Sequence, residues 1–244
     1  VYTMTYEHPD LTVLSTTLTA TVSAGGESGT VTDIDGNIYP TVTIGSQVWM
    51  AANLRTTRYR DGSIIPHVTD SAEWGALTIG AWCNYDNNPG NDMIYGKLYN
   101  WHTIADTRDL CPQGWHVPTD AEWQELEAAL GMSFSALNST DFRGAAQNVG
   151  GKLKSMSSLW TSPNDGATNE SGFSVLPSGN RSHQEVFSSG NFYHLNAMSF
   201  IWTASENANN ESTAWYRALW NANSGVQRFA IVKEKGFCMR CISD

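Results

Sequence analysis

The chain has 244 residues, 41% of them hydrophobic and ten of them tryptophan, enough to bury a core in one or two domains without metal support. Its formal charge is -10, which disfavours phosphate backbones and anionic membrane surfaces, and no apolar run approaches the roughly 18 residues of a membrane span. Charged residues are only 16%, with Ser, Thr, Asn and Gly in their place, a balance closer to extracellular β-rich proteins than to cytosolic enzymes. The chain begins at Val1-Tyr2-Thr3 without a signal-peptide pattern and is read as a mature or trimmed form.

Residues 1–30 alternate in places, at Leu11-Thr12-Val13 and again from Leu18 to Val22, and then fall into Ser23-Ala24-Gly25-Gly26-Glu27-Ser28-Gly29. One or two strands and a flexible linker are expected. The segment is an arm to an upstream domain, a strand lent to a partner subunit, or a tail at the edge of the chain. A main domain is expected over 31–244. Asp35-Gly36-Asn37 marks a hairpin turn, and Tyr39 to Ile44, Gly45-Ser46 and Gln47 to Met50 continue a meander. Residues 61–96 are turn-rich, and Tyr95 to Ala105 carries helix-like apolar spacing at Leu98, Trp101, Ile104 and Ala105.

Thr119 and Glu122 form a capping box, Trp123, Leu126 and Leu130 an apolar face, and Gly131 a stop. A helix over 119–130 follows, and a second short amphipathic turn is expected within 144–155. Asp120, Glu122, Glu125 and Glu127 read as helix-start and surface acids. Asn223-Ser224-Gly225 is the expected turn between strands near 213–221 and 226–233.

That last hairpin is bracketed by Trp215-Tyr216-Arg217 and by Gly236-Phe237-Cys238-Met239-Arg240-Cys241. Between them stand residues with no shared chemistry, among them Ala218, Trp220, Ala222, Gln227, Phe229, Ala230 and Ile231. A stiff frame around an arbitrary surface suits binding better than catalysis. Trp49, Trp115, Trp123, Trp202 and Trp215 are expected in the core, and Trp220 as an exposed anchor. Arg217, Ala218, Trp220, Ala222, Asn223, Gln227, Phe229 and Ile231 form the expected contact surface for a protein or glycan ligand.

Cys83, Cys111, Cys238 and Cys241 are four in number, which favours two disulfides in this composition. In extended chain, residues 238 and 241 lie about 10 Å apart and point to opposite faces, so each reaches a distant partner. His102, His116, His183 and His194 are at no metal-ligand spacing, and Cys83 and Cys111 sit in no paired ligand motif. Asn164, Asp165, Asn169 and Glu170 with Gly166 could surround calcium, but they also suit turn-stabilising side chains. No other cofactor is expected, and no phosphate loop, serine-hydrolase elbow or kinase set occurs.

Several segments together carry a resemblance. They are Asp35-Gly36-Asn37 with Gln47-Val48-Trp49-Met50-Ala51-Ala52-Asn53-Leu54, Tyr95-Gly96-Lys97-Leu98-Tyr99-Asn100-Trp101, and Cys111-Pro112-Gln113-Gly114-Trp115-His116-Val117-Pro118 through Trp123. Gly150-Gly151-Lys152-Leu153-Lys154, Thr168 to Ser174, Trp202 to Glu206 and Gly236 to Asp244 complete it. From about residue 31 to 244 the chain resembles the Fibrobacter succinogenes major paralogous domain family.

The resemblance implies an α+β, C-type-lectin-like fold with short antiparallel strands, paired terminal strands, one or two helices and long irregular loops. It implies a noncatalytic module on secreted or surface proteins of Bacteroidetes-type bacteria, such as an adhesin, pilus tip or phage receptor-binding protein. An assembly domain of a surface lipoprotein or pilus is the alternative. The helix start also resembles formylglycine-generating enzymes, whose reactive cysteine pair is not matched by Cys238 and Cys241. Trp220-Asn221-Ala222 lacks the acid that calcium-dependent lectins use. Variable proteins of diversity-generating retroelements share this fold, and the mixture over 218–231 is similar to their sampled positions. The family frame pairs Cys111 with Cys241 and leaves Cys83 for Cys238.

Overall fold

The computed structural model describes residues 29–183 and 190–244. The sequence readings made on residues 1–28 lie outside these. Strands β1 (Thr30–Thr32) and β2 (Ile38–Ile44) form the expected first hairpin. Its turn is held by Asp33, whose carboxylate accepts from the backbone N–H groups of Asp35 and Asn37 and, at 2.6 Å, from the Tyr39 hydroxyl. Gly36 takes φ 84°, a conformation that glycine supplies without strain. Strand β3 (Gln47–Met50) returns along β2.

The turn-rich stretch that follows holds α1 (Ser71–Gly75), β4 (Trp82–Cys83), α2 (Asp92–Tyr95), β5 (Leu98–Tyr99) and α3 (Trp101–Ile104). The helix-like spacing from Tyr95 to Ala105 is therefore divided. Gly96 at φ 76° ends α2, and a Cβ there would stand 2.7 Å from that of Asn53, so the chain turns into β5 before α3 begins. Strand β6 (Trp115–His116) leads to α4 (Asp120–Ala129), which starts at the predicted capping box with Thr119 and Glu122 bonded to each other's backbone. Then come α5 (Phe134–Leu137), β7 (Asp141–Arg143), α6 (Val149–Leu153), β8 (Ser178–Arg181) and β9 (Phe192–Leu195). Strands β10 (Met198–Glu206), β11 (Thr213–Trp220), β12 (Val226–Val232) and β13 (Ile242–Ser243) complete the order.

The class is α+β. One sheet runs β1-β2-β3-β13-β6, a second runs β7-β12-β11-β10-β8-β9, and β4 pairs with β5. The last strand lies between early ones, with Ile242 opposite both Trp49 and His116. Just before β6 and β13, Cys111 and Cys241 join in a disulfide across 130 positions of sequence. Closing so long a loop removes disorder from the unfolded chain.

Among the described residues, packing falls into three clusters. Tyr39, Tyr99, Trp101, Trp202, Tyr216 and Phe237 centre the first. Trp49, Trp123 and Phe173 centre the second, between α4 and the sheets, with ring centroids 5.1–5.6 Å apart in edge-to-face contacts. Trp74, Leu77, Cys83 and Leu98 belong to the third.

Candidate ligand-binding surface

The second sheet positions the predicted hairpin. Residues directly opposite on paired antiparallel strands share a face. Ala218 stands opposite Gln227 and Phe200, Tyr216 opposite Phe229, Ala214 opposite Ile231, Trp220 opposite Met198, and Gln227 opposite Phe142. These residues make one face of the sheet, and it is exposed along its β12 side. Trp220 is 39% and Phe229 47% accessible, while Gln227, Ile231 and Phe142 are half-buried. The Phe142 and Trp220 rings are 5.9 Å apart, and the Gln227 amide reaches Asp141 Oδ1 at 3.3 Å.

Two residues expected on the contact surface are not there. Ala218 is fully buried in the first cluster, because β11 is a central strand and its face is covered by Phe200 and Gln227 on either side. Arg217 is fully buried on the opposite face, turned toward α4. Ala222 is exposed and Asn223 half-buried in the turn, and Ala230 belongs to the α4 side.

The α4 side carries the frame that sequence reading missed. Arg217 and Arg228 lie opposite each other in register, and Asp120 takes both, at 2.7 Å from Arg217 and 2.8 Å from Arg228. Glu127 takes Arg217 at 2.7 Å and Arg143 of β7 at 2.8 Å. The chain Arg228–Asp120–Arg217–Glu127–Arg143 thus ties β7, β11 and β12 to α4 from below. Asp120 and Glu127 are buried, not surface acids as expected. Burial alone would raise the Asp120 pKa, but hydrogen bonds from Arg228 and the charge of Arg217 outweigh it and hold the carboxyl below its ordinary value. Burial also lowers the Arg143 pKa, against the pull of Glu127. Arg228 further lies 3.7 Å from the Trp215 ring centroid. Trp215 and Trp115 are only partly buried, whereas Trp49, Trp123 and Trp202 are wholly in the core.

The turn of the hairpin has its own clamp. Lys154, fully buried after α6, donates from Nζ to the carbonyls of Asp165 at 2.7 Å, Trp220 at 2.9 Å and Asn223 at 3.0 Å. Burial pushes its pKa down to about 8, against the pull of Asp165. Gly150 and Gly225 permit the close approach beneath this turn, since a Cβ on Gly150 would stand 2.1 Å from the Gly225 carbonyl oxygen.

Among the residues considered for calcium, Asn164 Nδ2 and the Asn169 amide are engaged within the loop, whereas Asn164 Oδ1 is buried without a hydrogen-bond partner among the described residues. The Asp165 carbonyl faces Lys154, Asn164 Nδ2 donates to the Ser155 carbonyl, and Asn169 exchanges bonds with Ser174. Asn164, Gly166 and Asn169 have φ of 46°, 69° and 51°, so the loop is a series of left-handed turns. Glu170 is exposed. No cluster of three or more His, Cys, Asp or Glu able to hold a metal is present among the described residues.

Of the two expected disulfides, Cys111–Cys241 is formed and Cys83–Cys238 is not. Cys238 and Cys241 do diverge, but Cys238 turns into the second cluster beside Ser178, Ser199 and the Phe200 carbonyl, while Cys83 lies in the third. Both are buried thiols. Burial pushes Cys83 up to about 12 and raises Cys238 as well. His116, expected as a hydrogen-bonded residue, joins Asp244 at 2.6 Å and Glu122 at 2.8 Å.

No curated protein and no solved structure matches the chain. The model of the Fibrobacter succinogenes major domain matches residues 42–243, which takes in the arginine–carboxylate chain, the lysine clamp, the disulfide and the hairpin, and the chain belongs to that family.

Proposed function

We propose that the exposed strip of the β11–β12 hairpin is a noncatalytic recognition surface on a C-type-lectin-like scaffold, displayed outside or on the surface of a bacterial cell. The observation that carries this reading is the division of the hairpin between its two faces. One face is locked by five buried charged side chains, and the other presents Trp220, Phe229, Phe142, Gln227 and Ile231 to solvent. Exposed aromatic rings on a rigid backbone contribute contact area with little ordering cost, as recognition of a protein or glycan requires. The disulfide supports an oxidising compartment. No helix among the described residues is long and apolar enough to cross a membrane.

A reactive-cysteine enzyme is a poorer reading. Both free thiols are fully buried, and burial disfavours the thiolate that such chemistry uses. The ligand surface consists of Trp220, Ala222, Asn223, Gln227, Phe229 and Ile231, joined by Phe142. Arg217 and Ala218 support it. If retroelement diversification acts on the hairpin, exchange belongs to the exposed set and stops at the buried one. Sequencing the gene across one natural population tests this. Variation at Trp220, Ala222, Gln227, Phe229 and Ile231 with invariance at Arg217, Ala218 and Arg228 is expected. Equal variation in both sets contradicts the division.

A further inference from the structure

Asn53 joins parts of the chain that are far apart in sequence. Met50 and Leu54 donate from their N–H groups to the carbonyls of Cys241 and Met239, so residues 50–54 run beside 239–241. Asn53 Oδ1 accepts from Arg240 Nε at 2.9 Å, and its Nδ2 donates to the carbonyl of Tyr95, the neighbour of Ile94 in α2, at 2.8 Å. The pairing of Lys154 with Val175 brings Ser155 and Leu176 to the same place. Two cavities of about 170 and 180 Å³ open where these segments meet, and Ala52, Asn53 and Ile94 line both. The smaller is walled by Ala51 and Leu176 and by the polar residues Ser155, Ser174 and Arg240. The larger continues past Ile38 and Met93, both exposed.

Arg240 is buried, and its guanidinium donates to Asn53 Oδ1 and to the carbonyls of Met50, Phe173 and Ser174. All four acceptors are neutral, so among the described residues the charge has no acidic partner, and the fork keeps an N–H to spare. Burial lowers the Arg240 pKa to about 10, as expected of a charge held without a counter-charge. The Ser155 hydroxyl is buried too and has no hydrogen-bond partner among the described residues, which is rare for a buried polar group. Asp92, the acid that lines the larger cavity, is taken by Lys97 at 2.6 Å. Arg181 is likewise buried among carbonyls, those of Val68, Thr69, Asp70 and Gly190, but neither cavity reaches it. The cavity and the unbonded hydroxyl set Arg240 apart.

We propose that the joined cavities bind a small carboxylate with an apolar tail. The carboxylate accepts from the spare N–H of Arg240 and from the Ser155 hydroxyl, and the tail lies on Ala52 and Ile94 toward Ile38 and Met93. A charged acceptor makes stronger bonds to a guanidinium than a neutral one, and a few polar groups in an otherwise apolar lining fix a ligand's orientation. None of these residues belongs to the β11–β12 hairpin, so this is a second site.

Titration of the full chain, followed through the backbone amide resonances of Ile94, Ser155 and Leu176, is the test. Hexanoate and N-acetyl-alanyl-leucine are the probes, because a free acid and a peptide terminus share the chemistry, and the tighter of the two identifies the source. Replacing Arg240 would strip four oxygens of their donor and endanger the fold, so the charge is removed from the ligand instead. Saturable shifts are expected with the acids, and binding about tenfold or more weaker with hexanamide and the amidated dipeptide. In variants checked for native circular dichroism, acid binding should weaken in S155V, disappear in A52W, where the new ring fills the shared part of the cavities, and persist in W220A/F229A. Equal binding of acid and amide overturns the proposal, as does acid binding unchanged in A52W or the lack of saturable shifts with both probes.

Discussion

Arg217 and Arg228 face each other across β11 and β12, and the single carboxylate of Asp120 binds both. Two like charges directly opposite in a sheet repel. Here the repulsion is turned into an attachment, because the carboxylate comes from the first turn of α4 and Glu127 follows on the same helix. The proposed recognition surface therefore rests on a charge network whose members span 108 positions of sequence.

Removing one carboxylate leaves guanidinium groups buried and unpaired. D120A and E127A are each expected to lose about 3–5 kcal/mol of folding stability, the usual cost of breaking a buried ion pair. Denaturant unfolding measures this. A loss below about 1 kcal/mol would mean that the network is not a structural tie.

Lys154 gives a pH dependence of defined sign. Its pKa is about 8 in the fold and 10.5 in a free side chain, so between these values the unfolded chain binds more protons than the folded one. Stability relative to K154M should therefore rise as pH increases from about 8 toward 10.5. Nitrogen-detected titration of the Lys154 ammonium should give a midpoint near 8, and one at the ordinary lysine value would show that the carbonyl cage is open to water. K154M should also speed hydrogen exchange in residues 220–225, since two carbonyls of that turn lose their donor.

His116 titrates in the opposite sense. Burial lowers its pKa, but the hydrogen bonds that its ring donates to Asp244 and Glu122 outweigh that and raise it above 6.5. Its contribution is complete below pH 6.5 and is lost as pH rises through the raised value. Because the ring is partly exposed, the effect is a few tenths of a kcal/mol. The stability difference between the unaltered protein and H116Q should shrink across that window, and a difference independent of pH would contradict the pairing.

The cysteines differ in chemistry. Native protein should expose no thiol to an alkylating reagent, and unfolding without reductant should expose two, Cys83 and Cys238. Peptide mass analysis should find Cys111 joined to Cys241. Four blocked sulfurs after unfolding would restore the second disulfide that the structure lacks.

Much of the fold could be read locally. The capping box of α4, the Asp35-Gly36-Asn37 turn and the Asn223-Ser224-Gly225 turn each depend on a few neighbouring residues, and each lies where expected. What failed depended on distant partners. Asp120 and Glu127 resemble exposed helix acids until Arg143, Arg217 and Arg228 arrive from three strands. Arg217 and Ala218 fall in a segment with no shared chemistry, and nothing near them in sequence says that β11 is covered on both faces. Phe142 joins the proposed surface only through the β7–β12 pairing, 85 positions from Gln227. The pairing of Cys83 with Cys238 rests partly on the family frame, which carries no information about which cluster each enters.

The most direct measurement is binding of the unaltered protein and the W220A/F229A variant to arrays of glycans and bacterial surface proteins, followed by titration of any ligand found. Both rings are exposed, so the variant should fold normally and lose about 2 kcal/mol or more of binding free energy, roughly thirtyfold in affinity. A ligand bound equally well by both proteins would place recognition elsewhere on the molecule and contradict the account.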